Sequence, residues 1–250
     1  MVDAASTDRT FDEVGAAAPE PSPAVRCLAA SSRDANSARN LGVRSARGEL
    51  IALLDDDAIA PPGWIGAVAA GAARQPAAEC LGGPVRPLFE RPPPRTCGEH
   101  DFPGAVLDKG EVEKEVGEVW GCNMALRRTA LDRIGGFRAG LRLQQEWEWE
   151  QRLLAQGGRI VYLPDAWLWH RRLASDLRLG RLAREYFLRG YRKGLLGQPI
   201  SPAVLAGHAA ASLAHGLRSR CSYGLTQAAR ECGLVCGELA RLISPLGSRH

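Results

Sequence analysis

The sequence predicts an α/β fold, with a mostly parallel sheet flanked by helices over residues 1–172 and a basic helical region over 173–250. Three observations predict it. Short apolar runs alternate with segments of helical spacing, the pattern of a sheet covered by helices. Leu50-Ile51-Ala52-Leu53-Leu54 is a continuous apolar run that stops abruptly at Asp55-Asp56-Asp57, as a buried parallel strand with a polar end would. From Leu173 onward the apolar spacing is helical, interrupted at Pro199 and Pro202.

Element by element, residues 2–8 carry the small and acidic residues of a strand-to-helix turn, and Thr7 or Asp8 can cap a short helix that runs to Val14. Residues 16–23 read as a Pro/Ala loop and 25–30 as a short strand. Residues 37–46 have helical spacing, with Gly48 placed to end the helix. After the strand at 50–54, residues 61–75 form a helix with Pro near its start. Residues 82–87 read as a strand, and 89–109, rich in Pro and Gly, as a loop. A strand is expected over 116–125, a short helix capped by Thr129 and closed by Gly135-Gly136, and a helix over 144–155. Strands follow at 159–163 and 166–170.

Composition is that of an ordinary globular chain, 45% apolar and 24% charged over 250 residues. Heavy use of Ala, Gly, Arg and Pro points to a GC-rich, bacterial genome. The net charge of +4 is unevenly spread. Residues 171–220 hold Arg171, Arg172, Arg178, Arg181, Arg184, Arg189, Arg192, Lys193, Arg218 and Arg220, opposed by Asp176 and Glu185. Such a stretch is either a solvated helix face or a surface for phosphates and anionic membrane. The seven Cys form no CxxC pair, which reads as reduced thiols in a cytoplasmic protein. No secretion signal or membrane span is expected, and no nucleic-acid partner.

Chemistry concentrates in three places. Adjacent carboxylates at Asp55, Asp56 and Asp57 repel one another and call for compensation, for which Mg2+ or Mn2+ is suited. A bare triplet is equally an acidic turn leading into the next helix. Arg39 can serve a nucleotide or pair with the triplet. Glu146, Glu148 and Glu150 lie on one helix, where only Glu146 and Glu150 share a face. Trp120, Trp147, Trp149, Trp167 and Trp169 are dense enough to suggest sugar stacking for some and core packing for Trp149 and Trp167.

Several segments in order resemble the family 2 glycosyltransferases of the GT-A fold. They are Asp3-Ala4-Ala5-Ser6-Thr7-Asp8-Arg9-Thr10, Asn36-Ser37-Ala38-Arg39-Asn40-Leu41-Gly42, Ala46-Arg47-Gly48, the strand ending in Asp55-Asp56-Asp57, Trp120-Gly121-Cys122-Asn123, Ile134-Gly135-Gly136-Phe137, Gln145-Glu146-Trp147-Glu148-Trp149-Glu150-Gln151-Arg152, and Tyr162-Leu163-Pro164-Asp165-Ala166 with His170. The resemblance covers about residues 1–172. It implies a nucleotide-diphosphate sugar donor held by Asp3, Arg39, Asp55 and Asp56, and a cation held by Asp55, Asp57 and His170. It also implies a sugar or acceptor surface from Trp120, Gly121, Asn123, Gln145, Trp147 and Arg152, with Glu146 as general base in an inverting transfer to a saccharide or lipid-linked acceptor. Peripheral contact with the inner face of the plasma membrane would run through 171–220.

The chain departs from the family pattern in three respects. Gln145-Glu146 stands where the family has Glu-Asp, and a Glu reaches one methylene further. Ala4 replaces the second acid of the first turn. The strand and helix that precede that turn in the family are missing here. These departures keep a second reading open, a catalytically impaired remnant that acts as a binding or scaffold subunit.

Overall fold

The computed structural model describes every residue except 18–24, 99–101, 103–105, 141–144, 196–200 and 244–250. In chain order the first elements are β1 (Val2–Asp3), α1 (Thr10–Ala17), β2 (Leu28–Ala29), α2 (Ala35–Ser45), β3 (Leu50–Leu54), β4 (Ala58–Ile59), α3 (Trp64–Arg74), β5 (Cys80–Gly82) and β6 (Val85–Phe89). They are followed by β7 (Lys114–Glu115), β8 (Asn123–Arg127), α4 (Arg128–Ile134), α5 (Gln145–Ala155), β9 (Ile160–Tyr162), β10 (Leu168–Arg172), α6 (Leu179–Leu195), α7 (Pro202–Arg218) and α8 (Ser222–Ile243). The chain divides into two compact units, residues 1–85 with 107–168 and residues 86–106 with 169–250.

The first unit is built on a mixed sheet of order β3-β8-β5-β9-β7. β5 and β9 are parallel, β8 is antiparallel to both β3 and β5, and β7 is antiparallel to β9. The 50–54 run, expected to be parallel, therefore pairs antiparallel with β8, with Leu54 opposite Asn123. Its unbroken apolar character reflects cover on both faces rather than strand direction. Ile51 and Leu53 pack with Val43, Met124, Leu126, Trp149 and Leu153, while Leu50 and Ala52 pack with Trp64, Val68, Leu81, Ala125 and Val161. Neighbours in sequence alternate between the two clusters, as the period of two demands. Helices α2, α4 and α5 cover one face and α3 the other. The register brings the carboxyl ends of β3, β5 and β9 and the amino end of β8 to one end of the sheet.

Local rules explain most boundaries. Asp34 caps α2 in extended conformation, its Oδ2 accepting the Ser37 N–H at 2.8 Å and the Ser37 hydroxyl at 2.7 Å. Those bonds hold the Asp34 carboxyl below its ordinary range. The helix stops at Ala46, whose N–H returns to Gly42 O at 2.9 Å, before the expected Gly48. α3 begins behind Gly63, which takes φ 89°, rather than at Pro61. α4 starts at Arg128, so Thr129 lies inside its first turn instead of capping it. The strand expected over 116–125 reduces to β8, and 116–122 is an irregular approach to it. The loop expected over 16–23 falls mostly outside the described residues.

In the second unit β6 lies beside β10, and the Glu90 N–H donates to Arg172 O at 3.0 Å. α6 buries Leu182, Tyr186, Gly190 and Gly194 along one stripe. That stripe meets Gly233 and Gly237 of α8 with backbones in contact: a Cβ at Gly233 would sit 2.8 Å from Tyr191 N, and one at Gly194 would sit 2.7 Å from Glu238 N. Several cations of the 171–220 stretch are paired locally, Arg181 with Asp176 at 3.2 Å and Arg189 with Glu185 at 2.5 Å. Among the described residues no helix is long and apolar enough to cross a membrane.

The α7–α8 junction is tight. Arg220 takes the left-handed φ of 47°, and the Cys221 N–H turns back to Gly216 O at 3.0 Å. Burial raises the Cys221 thiol pKa, but N–H groups of Gly224 and Cys97 and the side chains of His215 and Cys97 outweigh it, leaving the thiol at about 7.

Candidate functional site

Three elements of the first unit converge at the carboxyl end of β3. Asp55 opens a hydrogen-bonded turn, with the Ala58 N–H donating to Asp55 O at 3.1 Å. This turn leaves Asp55 half-buried and Asp56 and Asp57 exposed. α2 contributes Arg39, whose helix is docked through buried Asn36, Ala38 and Val43. α5 contributes Gln145 and Glu146 in its first turn, docked through Trp149, Glu150 and Leu153.

Arg39 joins the three. Its Nη2 lies 2.6 Å from Glu146 Oε1 and 3.4 Å from Asp55 Oδ1. Its Nη1 donates to Gln145 Oε1 at 2.6 Å and to Asn36 Oδ1 at 3.4 Å. The guanidinium is 16% exposed, so these contacts form in a partly desolvated place where charge–charge attraction is stronger than in water. Gly121 completes the corner. A Cβ there would lie 2.5 Å from Glu146 Cδ, so only glycine leaves room for this carboxylate.

The alternate acids of α5 have three different fates. Glu146 faces Arg39. Glu148 receives a two-pronged contact from Arg152, at 2.9 and 3.1 Å, and an ion pair from Arg138 at 3.1 Å. Glu150 is fully buried; its Oε1 accepts the Val119 N–H at 2.7 Å, and its Oε2 is buried without a hydrogen-bond partner among the described residues. Burial drives the Glu150 carboxyl well above the carboxylate range, against the pull of the Val119 N–H, with the Glu118 and Glu146 charges adding to the rise.

Other expected site residues have internal employment. Asn123 is buried; its Oδ1 accepts from Trp64 Nε1 at 3.0 Å and its Nδ2 donates to Pro84 O at 3.1 Å and Ala166 O at 2.7 Å. These bonds use its polar atoms to tie β8 to its neighbours, in place of the expected sugar contact. Arg152 donates to Ile134 O and Gly136 O, each at 2.7 Å, besides Glu148, and so clamps the 134–136 turn. Asp3 is buried and accepts the Ser6 N–H at 3.3 Å and the Ser6 hydroxyl, closing the first turn over Ala5 at φ 58°. Trp120 and Trp147 are half-exposed, and Trp149 is fully buried with Nε1 donating to Gly135 O at 2.8 Å. His170 lies in β10, within the second unit.

Two supports of the 134–138 segment had no assignment from the sequence. Asn40 clasps the same 134–138 segment, donating to Phe137 O at 2.7 Å and accepting the Phe137 N–H at 2.9 Å, and Asn36 donates to Arg138 O at 2.6 Å. Two Asn at i and i+4 on the helix that docks through Ala38 and Val43 were the available signal.

Comparison with known proteins bears on the family and the fold. The profile described as Glycosyl transferase family 2 matches residues 1–135. The chain is 28% identical over 218 residues to the Succinoglycan biosynthesis protein ExoM of Rhizobium meliloti, covering 85% of this chain and 64% of that protein. It is 27% identical over 175 residues to the Glucosyl-dolichyl phosphate glucuronosyltransferase of Haloferax volcanii, covering 66% of this chain and 56% of the relative. The matches thus span less than two thirds of either relative's length. Among solved structures, the mannosyltransferase PcManGT of Pyrobaculum calidifontis, in complex with GDP-Man and Mn2+, superposes with a TM-score of 0.63 at 17% identity, covering 97% of this chain and 76% of that one. TarS 1–349 of S. aureus in complex with UDP-GlcNAc gives 0.55 at 13% identity, covering 95% and 81%. These likenesses establish a GT-A fold. The matched profile takes in Arg39, the Asp55 turn and Gly121 and spans more than half the sequence: the chain belongs to glycosyl transferase family 2.

Proposed function

We propose that this protein transfers a sugar from a nucleotide-diphosphate sugar to a hydroxyl of a saccharide or lipid-linked acceptor, with inversion, in cell-surface or exopolysaccharide synthesis. The observation that carries the reading is Arg39, whose one guanidinium reaches both Asp55 and Glu146. That shared contact supports a single site for donor activation and proton removal, which must lie close together.

In this reading Glu146 takes the proton of the acceptor hydroxyl. The freed oxygen bonds to the anomeric carbon as the bond from that carbon to the diphosphate breaks, and the nucleoside diphosphate leaves. Arg39, itself held by Gln145, orients the Glu146 carboxylate, and Gly121 gives it space. The donor set at the turn fits a hard cation, because carboxylate oxygens of Asp55 and exposed Asp57 stand two residues apart on a closed turn. Those two residues would hold Mg2+ or Mn2+ beside the donor, where such an ion neutralises charge on the leaving diphosphate. Asp56, exposed beside them, is available to the nucleotide, and half-exposed Trp120 and Trp147 to a sugar face. The basic stretch 171–220 would rest on anionic membrane, which suits a lipid-linked acceptor.

The test is calorimetry and nucleoside-diphosphate release with UDP-glucose, UDP-GlcNAc and GDP-mannose, with Mn2+ or with chelator. Metal-dependent donor binding is expected, with turnover that falls about 10²–10⁴-fold in Glu146→Gln while donor binding persists. Absence of donor binding under every condition overturns the proposal. Binding without any turnover by the unaltered chain supports the binding-subunit reading instead.

A further inference from the structure

The second unit holds a cluster that the transferase reading does not use. Cys97, on the segment after β6, His215, in the last turn of α7, and Cys221, immediately before α8, bring one ligand atom each to within 4.8 Å of one another. Cys221 is fully buried, and Cys97 and His215 are half-buried. We propose that Cys97, His215 and Cys221 form a zinc site that pins the 94–97 segment to the α7–α8 junction.

The donor chemistry selects the ion. Two thiols and an imidazole are soft to borderline ligands that favour Zn2+ and disfavour Mg2+ or Mn2+, which take oxygen. A tetrahedral ion with Zn–S near 2.3 Å places its ligand atoms about 3.8 Å apart, so the observed cluster closes around one with shifts of roughly an ångström. Three protein ligands leave the fourth position to water or another small ligand.

The surrounding backbone holds the ligands in place. The Cys97 N–H donates to Cys221 Sγ at 3.3 Å, the Ser222 N–H donates to Arg95 O at 2.9 Å, and the Ser222 hydroxyl reaches Pro94 O at 3.5 Å. The left-handed φ of 47° at Arg220, costly for a residue with a side chain, turns the chain so that Cys221 faces back toward His215. Strain of this kind persists where the neighbouring structure over-determines the conformation. The exposed pair Cys232 and Cys236 belongs to a different part of α8 and has no role in the cluster.

The experiment is Co2+ titration of the reduced full chain in a C232S/C236S background, which removes the exposed thiols. Saturation at one equivalent is expected, with thiolate-to-cobalt charge-transfer absorption, visible bands of tetrahedral intensity, and displacement of cobalt by Zn2+. C97S and C221S are each expected to lose the charge-transfer intensity, and H215Q to weaken binding about tenfold or more while circular dichroism stays unchanged. The proposal is overturned if the bands are absent, if they survive C97S and C221S, or if thiol-blocked protein carries a Cys97–Cys221 disulfide.

Discussion

Gly121→Ala tests the site at its narrowest point. The added methyl would lie 2.5 Å from Glu146 Cδ, whereas ordinary carbon contacts begin near 3.4 Å. The carboxylate must retreat by about 0.9 Å, which breaks its 2.6 Å pairing with Arg39. Misplacement of a reacting group by about 1 Å lowers turnover on the order of 100-fold, equivalent to about 2.7 kcal/mol of transition-state stabilisation. The effect on folding is smaller, about 1 kcal/mol at the low end of overpacking, because Glu146 is 21% exposed and can swing outward. The assay is steady-state release of nucleoside diphosphate alongside urea unfolding. A turnover number within about twofold of the unaltered chain would refute both the base assignment and the role given to Gly121.

Three further outcomes follow from the geometry. Ala5→Gly relieves a left-handed backbone at φ 58° and is expected to stabilise the first unit by about 0.5–1 kcal/mol, read as a higher urea midpoint at unchanged slope. Gly237→Ala forces a methyl onto the Tyr191 backbone and is expected to destabilise by about 3 kcal/mol or more, with loss of helical circular dichroism at a lower temperature than the unaltered chain. Glu150→Gln bears on pH: because the folded-state pKa lies above the unfolded value, the native protein binds the extra proton between the two, and stability falls as pH rises through that window. The substitution removes that fall, so the advantage of the amide over the acid should grow with pH by up to about 1.4 kcal/mol per unit within the window, and parallel stability profiles from about pH 5 to 9 would contradict the burial argument.

Much of the fold was readable because its signals are local. The 50–54 strand, the helix over most of 37–46 and the α5 helix announce themselves through period and composition, and the structure places them within a few residues of expectation. Strand direction was not readable: an apolar run records cover on both faces, which an antiparallel strand under two helix layers shares with a parallel one. Cap residues were partly readable. Asp34 has the side chain of a cap and is one, while Thr129 resembles a cap and is not one. Among the candidate residues, Arg39, Asp55, Gln145, Glu146 and Gly121 lie together, while Asn123 and Arg152 donate to backbone carbonyls. A polar side chain advertises its chemistry in sequence but not whether backbone carbonyls already consume its donors.

By itself the sequence determined the alternation of strand and helix, the acidic triplet at a strand end, and a helix rich in carboxylates. Each follows from residues adjacent in the chain. Only tertiary packing decided what those carboxylates do. Burial of Trp149 and Leu153 sets the rotation of α5. Glu148 then points about 200° away from Glu146 and Glu150, toward Arg152. Glu146 and Glu150 share a face, on which Glu146, in the first turn, meets Arg39 and Glu150, one turn further, is buried in the core. The meeting of Cys97 with His215 and Cys221 was likewise invisible along the chain, because such a cluster depends on how distant segments pack and not on their spacing.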